Sequence, residues 1–511
     1  MSTATSGSGV VRRSAAMIAR AQALVLIGVG TVALAMSGPT GVSLAAPKAR
    51  QPRQPKAGPG GSATPFGGVR VIQGGSGYDA WEILEPADPS PPSAPLVVVM
   101  HGYFEYSGYS VNGAIARHTA LKGNVVIYPR WQTGVATPCP GPINIEPCIT
   151  SAVTAIHDAI GYLHAHPNHV QPRLDEASYF GFSFGGIITA DMTNRWKSLD
   201  LPKPRTIFLD DPHDGALTGD NEPALDASLA GIPATTKLVC HAGADGVIAG
   251  TDTAGHSLAN ASCNAVFPKL AQIPATNKSI VLTSTDSHGQ PQLAAIHGVC
   301  AGAGAPDPPP PAGRYPVDAY DWGFCWRSFD ALRACALYGT DCKYALGNTP
   351  QNRYIGTWSD GVPIIGLKIQ TQAPIRALPT APRQAAPPDE TAETPAAAKV
   401  EGLRAAYLHD QRIVLHGTAS GNNGVAFVQL AIVRRIGSAC MQLAPAGSFI
   451  ALRRCNEPTS FLFATGTTHW SLTLPPSLRI GSYDVFARAI DGLAQTPSGY
   501  RRSSTGPFKV T

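Results

Sequence analysis

The chain has few charged residues and no basic stripe. Asp, Glu, Lys and Arg make up only 14% of its 511 residues, and the formal net charge is +5. Part of that positive charge lies in the N-terminal residues and in the Arg- and Lys-bearing stretch Pro47 to Lys56. Because nucleic-acid-binding domains cluster Lys and Arg on one face, this composition predicts no nucleic-acid partner.

Long hydrophobic runs are also scarce. The apolar run from Ala21 to Met36 follows Arg12, Arg13 and Arg20, and it is shorter than the roughly 20 residues that span a bilayer. We interpret residues 1–46 as a secretory signal peptide, cleaved near Ala45 or Ala46. The sequence therefore predicts a secreted protein without an integral membrane segment in the mature chain, and it leaves the export route open between general secretion and twin-arginine transport.

Metal-binding spacings are missing around the cysteines. The ten cysteines are accompanied by no C-x-x-C or H-x-x-x-H pattern, so we expect neither a metal nor a cofactor. An even number of cysteines in an exported chain usually indicates disulfides. The close spacings predict three pairs: Cys139 with Cys148, Cys335 with Cys342, and Cys440 with Cys455. The other four, whose connectivity stays open, are Cys240, Cys263, Cys300 and Cys325.

Composition divides the rest of the chain into four segments. Residues 47–65 are rich in Pro, Gly, Lys and Arg and are expected to be a disordered linker, and residues 372–399 form a Pro/Ala-rich linker. Between them, residues 66–371 are long enough for a large core. Residues 400–511 form a smaller unit.

The large segment alternates short apolar runs with helical patterns. Apolar side chains at helical spacing occupy Ile149 to His164 and Ile187 to Trp196. Strands buried on both faces read as continuous apolar runs. Short β-type runs, several of them apolar at every position, cover Leu96–Met100, Asn124–Tyr128, Ala177–Phe182, Thr206–Leu209, Lys237–Cys240 and Ser279–Thr283. The alternation predicts an α/β fold with a mostly parallel sheet, whose reactive groups collect at the carboxyl ends of the strands.

The C-terminal segment 400–511 has a different pattern, because short β-type runs are separated by Gly, Asn, Pro and Ser. These runs are Arg412–His416, Val425–Arg435, Trp470–Leu474, Tyr483–Ile490 and Pro507–Val510. The pattern predicts a small all-β sandwich of immunoglobulin-like type. Contact with a polymer or a cell surface is one possible role, and spacing is the role we favour because no exposed aromatic row is legible.

Ser183 is the candidate nucleophile. It lies in Gly181-Phe182-Ser183-Phe184-Gly185, after a strand-like run and before a helical one. A nucleophile elbow requires this strand-turn-helix setting, with glycines that avoid clashes in the tight turn. A hydroxyl is a poor nucleophile at neutral pH, so Ser183 needs a histidine to accept its proton and a carboxylate to orient that histidine.

Two residues after later strands fit these roles. Asp245 follows the strand-like run Lys237–Cys240, and His288 follows Ser279–Thr283, so the order Ser-Asp-His is the one expected for an elbow serine. We favour Asp245 as the acid and His288 as the base. Rival carboxylates are Asp210, Asp211 and Asp214, and rival histidines are His241 and His297, the latter in an apolar, helix-like stretch.

Negative charge that develops on the carbonyl oxygen needs preorganised N–H donors. The backbone N–H of Phe184, directly after the nucleophile, is the first expected donor. The second is expected from the loop after Leu96–Met100, where His101-Gly102-Tyr103 supplies the backbone N–H of Tyr103.

These motifs together resemble the α/β-hydrolase superfamily over about residues 66 to 371, and within it the secreted chlorophyllase, dienelactone hydrolase and cutinase-like branch. The resemblance rests on His101-Gly102-Tyr103, Gly181-Phe182-Ser183-Phe184-Gly185-Gly186, Gly243-Ala244-Asp245 and Asp286-Ser287-His288-Gly289. It implies an eight-stranded, mostly parallel sheet, a Ser/Asp/His triad, no metal, and ester hydrolysis through an acyl-enzyme. Tyr103 stands where several lipases and esterases carry a further glycine.

We therefore expect a secreted serine hydrolase that cleaves small-molecule or polymeric carboxylic esters. One alternative keeps the same triad but cleaves amides, as a peptidase or amidase. The other is a non-catalytic surface-binding protein on a hydrolase scaffold. The sequence does not indicate the acyl length, the alcohol or the oligomeric state.

Overall fold

A computed structural model gives the architecture of most of the chain beyond the predicted signal peptide. The described residues are 48–103, 109, 111–134, 139–140, 145–213, 225–243, 262–295, 297–302, 317–373, 382–387, 396–476, 478–493 and 507–511. The predicted signal peptide, residues 1–46, lies outside them. Within these ranges, none of the helices combines the length and hydropathy needed to cross a bilayer.

A nine-stranded sheet forms the centre of the larger part of the molecule. Its strands are β1 (Gly68–Gly74), β2 (Trp81–Ala87), β3 (Ser93–Met100), β4 (Val125–Pro129), β5 (Gln171–Phe182), β6 (Pro204–Asp210), β7 (Lys237–Ala242), β8 (Lys278–Leu282) and β9 (Lys368–Gln370). The spatial order is β1-β2-β4-β3-β5-β6-β7-β8-β9, and the six strands from β3 to β8 run parallel. The predicted α/β class and mostly parallel sheet are confirmed, with one more strand than the resemblance implied.

Helices cover both faces of this sheet. They are α1 (Gly113–Leu121), α2 (Ile145–Ala165), α3 (Phe184–Asn194), α4 (Cys263–Val266), α5 (Trp326–Tyr338) and α6 (Pro350–Arg353). Along β3, Val97 and Val99 pack in one core with residues of α1 and α5, whereas Val98 packs in a second core with residues of α2 and α3. Because successive side chains of a strand point to opposite faces, burial on both sides explains the continuous apolar run in β3.

The segment after the predicted signal peptide is packed against the domain, in contrast to the disordered linker expected for residues 47–65. Ala49 is buried, and its carbonyl oxygen accepts a hydrogen bond from the backbone N–H of Gln290. The backbone N–H of Arg50 donates to Ser359 Oγ. Composition alone suggested an unfolded stretch, but these long-range hydrogen bonds and the buried alanine hold it in place.

Five disulfides join the ten cysteines. The three predicted pairs are confirmed, and the remaining cysteines pair as Cys240–Cys263 and Cys300–Cys325. The bridge Cys240–Cys263 ties β7 to α4, whereas Cys300–Cys325 ties the loop after β8 to the residue preceding α5.

The C-terminal segment forms two all-β sheets. Their strands are β10 (Ala397–Glu401), β11 (Ala406–Tyr407), β12 (Val414–Ser420), β13 (Phe427–Ile436), β14 (Ala439–Leu443), β15 (Phe449–Leu452), β16 (Leu462–Phe463), β17 (Thr465–Gly466), β18 (His469–Thr473), β19 (Gly481–Ile490) and β20 (Phe508–Val510). One sheet has the order β10-β12-β18-β17, and the other has the order β11-β20-β19-β13-β14-β15 with β16 beside β13. A shared core contains Trp470 from the first sheet and Val428 and Tyr483 from the second. The segment is therefore a two-sheet sandwich, and its immunoglobulin-like identity stays a prediction.

This sandwich packs directly on the α/β part. The ring of Phe66 lies 5.8 Å from that of Phe427 and 6.1 Å from that of Phe463. The described residues from Lys48 onwards form one compact unit. The expectation of a sandwich held only by a flexible linker is therefore replaced by a packed interface, which the aromatic side chains of β13 and β16 provide.

Candidate active site

Ser183 lies between the end of β5 and the start of α3. Its backbone has φ of 55° and ψ of −125°, a conformation that is uncommon for a residue with a side chain and typical of strained functional turns. The turn is held by three backbone hydrogen bonds. The N–H of Ser183 donates to Asp210 O (2.9 Å), and Ser183 O accepts the N–H groups of Gly186 (2.8 Å) and His213 (3.0 Å). This is the geometry of a nucleophile elbow.

Glycines on both sides of the serine make this turn possible. A Cβ atom at Gly181 would overlap the Thr189 side chain, and one at Gly185 would overlap the carbonyl oxygen of His101. The hydroxyl of Ser183 makes no helix-capping hydrogen bond although the residue directly precedes α3. The side chain is therefore left for other contacts at the carboxyl edge of the sheet.

That contact is with His297. The imidazole Nε2 of His297 lies 2.9 Å from Ser183 Oγ, in the loop that follows β8. The imidazole ring also lies 5.1 Å from the Phe182 ring and 5.6 Å from the His213 ring. At this distance a neutral imidazole can accept the serine proton, which is the role of a general base.

His288, the base favoured by the sequence, lies elsewhere. Its Nε2 atom is 2.7 Å from Asp360 Oδ2, and both side chains are substantially exposed. Asp286 holds the turn that carries His288. Its carboxylate accepts the backbone N–H of His288 and is paired with Arg383. The structure therefore brings His297, and not His288, to Ser183.

Asp286 is a fully buried carboxylate with several donors around it. Besides Arg383, the indole N–H of Trp358 and the backbone N–H of Ile365 donate to its Oδ2 atom. Burial opposes ionisation, but the hydrogen bonds from Arg383, Ile365 and the other donors outweigh it and keep the pKa of Asp286 below its usual value. This carboxylate fixes the turn and the segment around Arg383, which lies within the predicted linker 372–399.

The predicted acid, Asp245, lies outside the described residues, so its position relative to His297 stays a prediction. Among its rivals, Asp214 is also outside them, whereas Asp210 is the last residue of β6 and Asp211 follows it, next to the elbow. Burial raises the pKa of Asp210 to about 8 and that of Asp211 to about 7. Asp210 Oδ1 lies 2.7 Å from Nδ1 of His241, so this carboxylate is engaged within the sheet edge.

The two predicted N–H donors flank the elbow. Phe184 is the first residue of α3, where backbone N–H groups have no partner within the helix and the helix dipole favours negative charge. Tyr103 follows β3, and its ring meets the Phe184 ring edge-on at 5.6 Å. Both residues are buried. Their proximity is compatible with a shared oxyanion site at the backbone, which stays a prediction.

The loop that carries Tyr103 rests on a stacked pair of rings. The imidazole of His101 stacks on Trp131 at 4.7 Å, and the indole N–H of Trp131 donates to His101 O. Burial lowers the pKa of His101 to about 4, so the ring is neutral at physiological pH. His101 therefore shapes the loop and does not serve as a charged group.

Only one group of three metal-type ligands occurs in the described ranges. It comprises Asp210, His241 and Cys300. Because Cys300 is in a disulfide with Cys325, its sulfur is not the thiolate that a metal requires. This group therefore does not fit a metal ion.

The sequence ranked His297 behind His288 because the stretch around His297 looks helical. In the structure no helix covers the described residues 290–295 and 297–302, which form turns and a bridge between Asp286 and Leu293. Gly289, Pro291 and Gly298 interrupt the stretch and disfavour a helix. Both histidines follow β8 and precede a glycine, so only the path of the loop separates them.

Comparisons with protein-family models and with curated proteins find no match to this chain. Among solved structures, the chain is similar to a thermostable esterase from Pseudomonas putida (17% identity, TM-score 0.23, 30% of this chain and 47% of that one). It is also similar to a hyperthermophilic esterase from the archaeon Pyrobaculum calidifontis (18% identity, TM-score 0.21, 28% and 44%). A third is esterase B from Lactobacillus rhamnosis (14%, 0.22, 29% and 50%). The chain spans half or less of each enzyme's length.

Proposed function

We propose that this chain is a secreted serine hydrolase of the α/β-hydrolase superfamily that cleaves carboxylic esters. The observation that carries the proposal is the pair Ser183 and His297: a serine in a strained turn between a strand and a helix, with its Oγ atom 2.9 Å from an imidazole nitrogen. His297 takes the role of base that the sequence suggested for His288. Export is supported by five disulfides, which persist in oxidising compartments.

The reaction follows from this pair. His297 removes the proton from the Ser183 hydroxyl as its oxygen attacks the ester carbonyl carbon, and the backbone N–H groups of Tyr103 and Phe184 stabilise the oxyanion. The protonated imidazole then gives its proton to the departing alcohol. The acyl group stays on Ser183 as an acyl-enzyme. Water, deprotonated by the same imidazole, releases the acid and restores Ser183. Asp245 is the proposed carboxylate that orients His297.

Hydrolysis of p-nitrophenyl esters from acetate to palmitate tests the proposal. We expect measurable kcat/KM with the wild-type chain and a loss of at least about 10³-fold in Ser183→Ala, because removal of an activated nucleophile has effects of that order or larger. Undiminished activity of Ser183→Ala would rule the proposal out. Matched p-nitroanilides run in parallel distinguish an esterase from an amidase with the same residues.

A further inference from the structure

The carboxylate of Asp211 joins two loops at the carboxyl edge of the sheet. Asp211 follows β6 directly, and its side chain is fully buried. Its Oδ1 atom accepts the backbone N–H of Gly243 at 2.6 Å, where the loop after β7 begins. Its Oδ2 atom accepts the backbone N–H of Gly298 at 3.2 Å, one residue after His297. One side chain thus fixes the backbone on two neighbouring loops.

The backbone of Asp211 is itself placed for this task. Its φ of 43° lies in the left-handed region, which is rare and costly for a residue with a side chain. The N–H of Asp211 donates to His241 O at 3.1 Å, which ties it to β7. A residue keeps such a strained backbone conformation only where the surrounding structure holds it there.

His241 forms other hydrogen bonds at the same carboxyl edge of the sheet, whereas the N–H groups of Gly243 and Gly298 donate to Asp211. His241 reaches Asp210 through Nδ1 and Thr283 Oγ1 through Nε2, at 2.7 and 3.0 Å. Asp211 Oδ2 lies 3.8 Å from His241 Nδ1. This arrangement ties the ends of β6, β7 and the residue after β8 together beneath the loop that carries His297.

We propose that Asp211 is a positioning residue that holds the His297 loop, through its hydrogen bond to the backbone of Gly298, so that the imidazole stays within reach of Ser183. The inference rests on the proposed function, because it assigns a role in the same reaction. Asp211 acts through the backbone and not on the substrate. Misplacement of a reacting group by about 1 Å can cost about 10²-fold in rate. Loss of the hydrogen bond between Asp211 and Gly298 is therefore expected to lower kcat.

Asp211→Asn is the informative variant. The amide keeps the size of the side chain but presents one oxygen and one NH₂ group, so one of the two backbone N–H groups loses its acceptor. We expect kcat to fall by about 10- to 100-fold with KM nearly unchanged, since substrate contacts are kept while the reacting groups are misplaced. The rate is divided by the concentration of folded protein. Near-ultraviolet circular dichroism, recorded well below the melting temperature, gives the folded fraction.

Asp191→Asn serves as the matched control. Asp191 lies on α3, is equally buried, and accepts the backbone N–H of Asp226 at 2.9 Å. Both substitutions remove a buried carboxylate that holds backbone, but only Asp211 bonds to a residue next to His297. We expect Asp191→Asn to keep the wild-type kcat per folded molecule even if its melting temperature falls.

Three outcomes overturn the inference. The first is a wild-type kcat per folded molecule in Asp211→Asn. The second is an equal loss in Asp191→Asn. The third is a loss of about 10⁴-fold in Asp211→Asn together with a silent Asp245→Asn, because Asp211 would then be the triad acid itself. Activity that survives Ser183→Ala contradicts the proposed function instead, and the two failures are thus distinguishable.

Discussion

Gly185 shows how closely the backbone is packed around the nucleophile. Any side chain at this position meets the carbonyl oxygen of His101, which belongs to the loop proposed to donate an N–H group to the oxyanion. The elbow and that loop therefore touch backbone to backbone. A glycine is required here by the close approach, and the strained φ is borne by Ser183 itself.

We expect Gly185→Ala to lower the free energy of unfolding by about 1 to 3 kcal/mol, because overpacking against fixed backbone has costs of that size. It should also reduce kcat, since the elbow must shift. Urea unfolding and ester hydrolysis measure the two effects. The matched control is Gly161→Ala in α2, which is exposed and has no atom within 4 Å of the added Cβ. That variant should gain about 0.5 to 1 kcal/mol from helix propensity, and a similar loss in both variants would contradict the account.

Among single residues, the sequence predicts the serine of the elbow but not the histidine that contacts it. Ser183 is recognisable because the glycines, the preceding strand and the following helix are all local features. Which histidine reaches Ser183 depends on the path of the chain after β8, where His288 and His297 each precede a glycine. Asp286 holds the turn that places His288 beside Asp360. The disulfide of Cys300 and the hydrogen bond from Gly298 to Asp211 instead lie next to His297. These contacts join residues far apart in the sequence, so no local sequence pattern predicts them.

At the scale of elements, helices α1 and α5 are joined by a buried cluster of charges. His118 Nε2 lies 2.8 Å from Asp330 Oδ2, and Arg333 Nη1 lies 3.4 Å from Asp330 Oδ1. The backbone N–H of Gly60 also donates to Asp330. The carboxylate therefore fixes both helices and the N-terminal segment. Burial alone would raise its pKa, but the electrostatic interactions with His118, Lys122 and Arg333 and the hydrogen bond to His118 outweigh burial and lower the pKa of Asp330 to about 2.

This shift predicts a pH dependence of stability. A carboxyl pKa of about 2 in the folded state, against about 3.9 in the unfolded chain, contributes stability above about pH 4 that is lost as the pH falls towards 2. The free-energy difference between the wild type and Asp330→Asn, from urea titrations, should therefore be larger at pH 6 than at pH 2.5, by roughly 2 kcal/mol. The exposed Asp158→Asn should show a small difference at both values. A constant difference for Asp330→Asn would argue against an ionised buried carboxylate.

Elements also differ in how far they can be predicted. Each of the parallel strands β3 to β8 contains a short, largely apolar run, and that local signal is sufficient to locate it. The segment 48–65 is instead held by individual hydrogen bonds to distant residues, as Arg50 bonds to Ser359 and Gly60 to Asp330. Composition describes what a segment tends to do alone, and it does not describe the partners that the fold supplies.

For the whole molecule, the sandwich and the α/β part share buried surface. Phe427 and Ile490 of the sandwich belong to the same apolar core as α2 and α3, and Tyr338 of α5 packs so closely on Gly424 and Gly492 that neither glycine has room for a side chain. We expect such a contact to couple the unfolding of the two parts, so that the sandwich stabilises the α/β part.

Calorimetry tests this coupling. We expect one thermal transition for the wild-type chain and two for Phe66→Ala, because removal of a buried phenylalanine from the contact with Phe427 and Phe463 costs about 3 kcal/mol. Phe449→Ala is the control: its ring lies 6.3 Å from that of Tyr483 within the sandwich. This variant should lower the melting temperature and keep a single transition. Two transitions in the wild type would contradict the coupling.

The proposed activation of Ser183 by His297 is tested by the rate at which a fluorophosphonate probe labels Ser183, followed by mass spectrometry, in the wild type, His297→Ala and His288→Ala. We expect the wild type and His288→Ala to be labelled at similar rates. In His297→Ala we expect the rate to fall by about 10² to 10⁴-fold, the size of a general-base contribution. Wild-type labelling of His297→Ala, with loss in His288→Ala, would contradict the proposed activation.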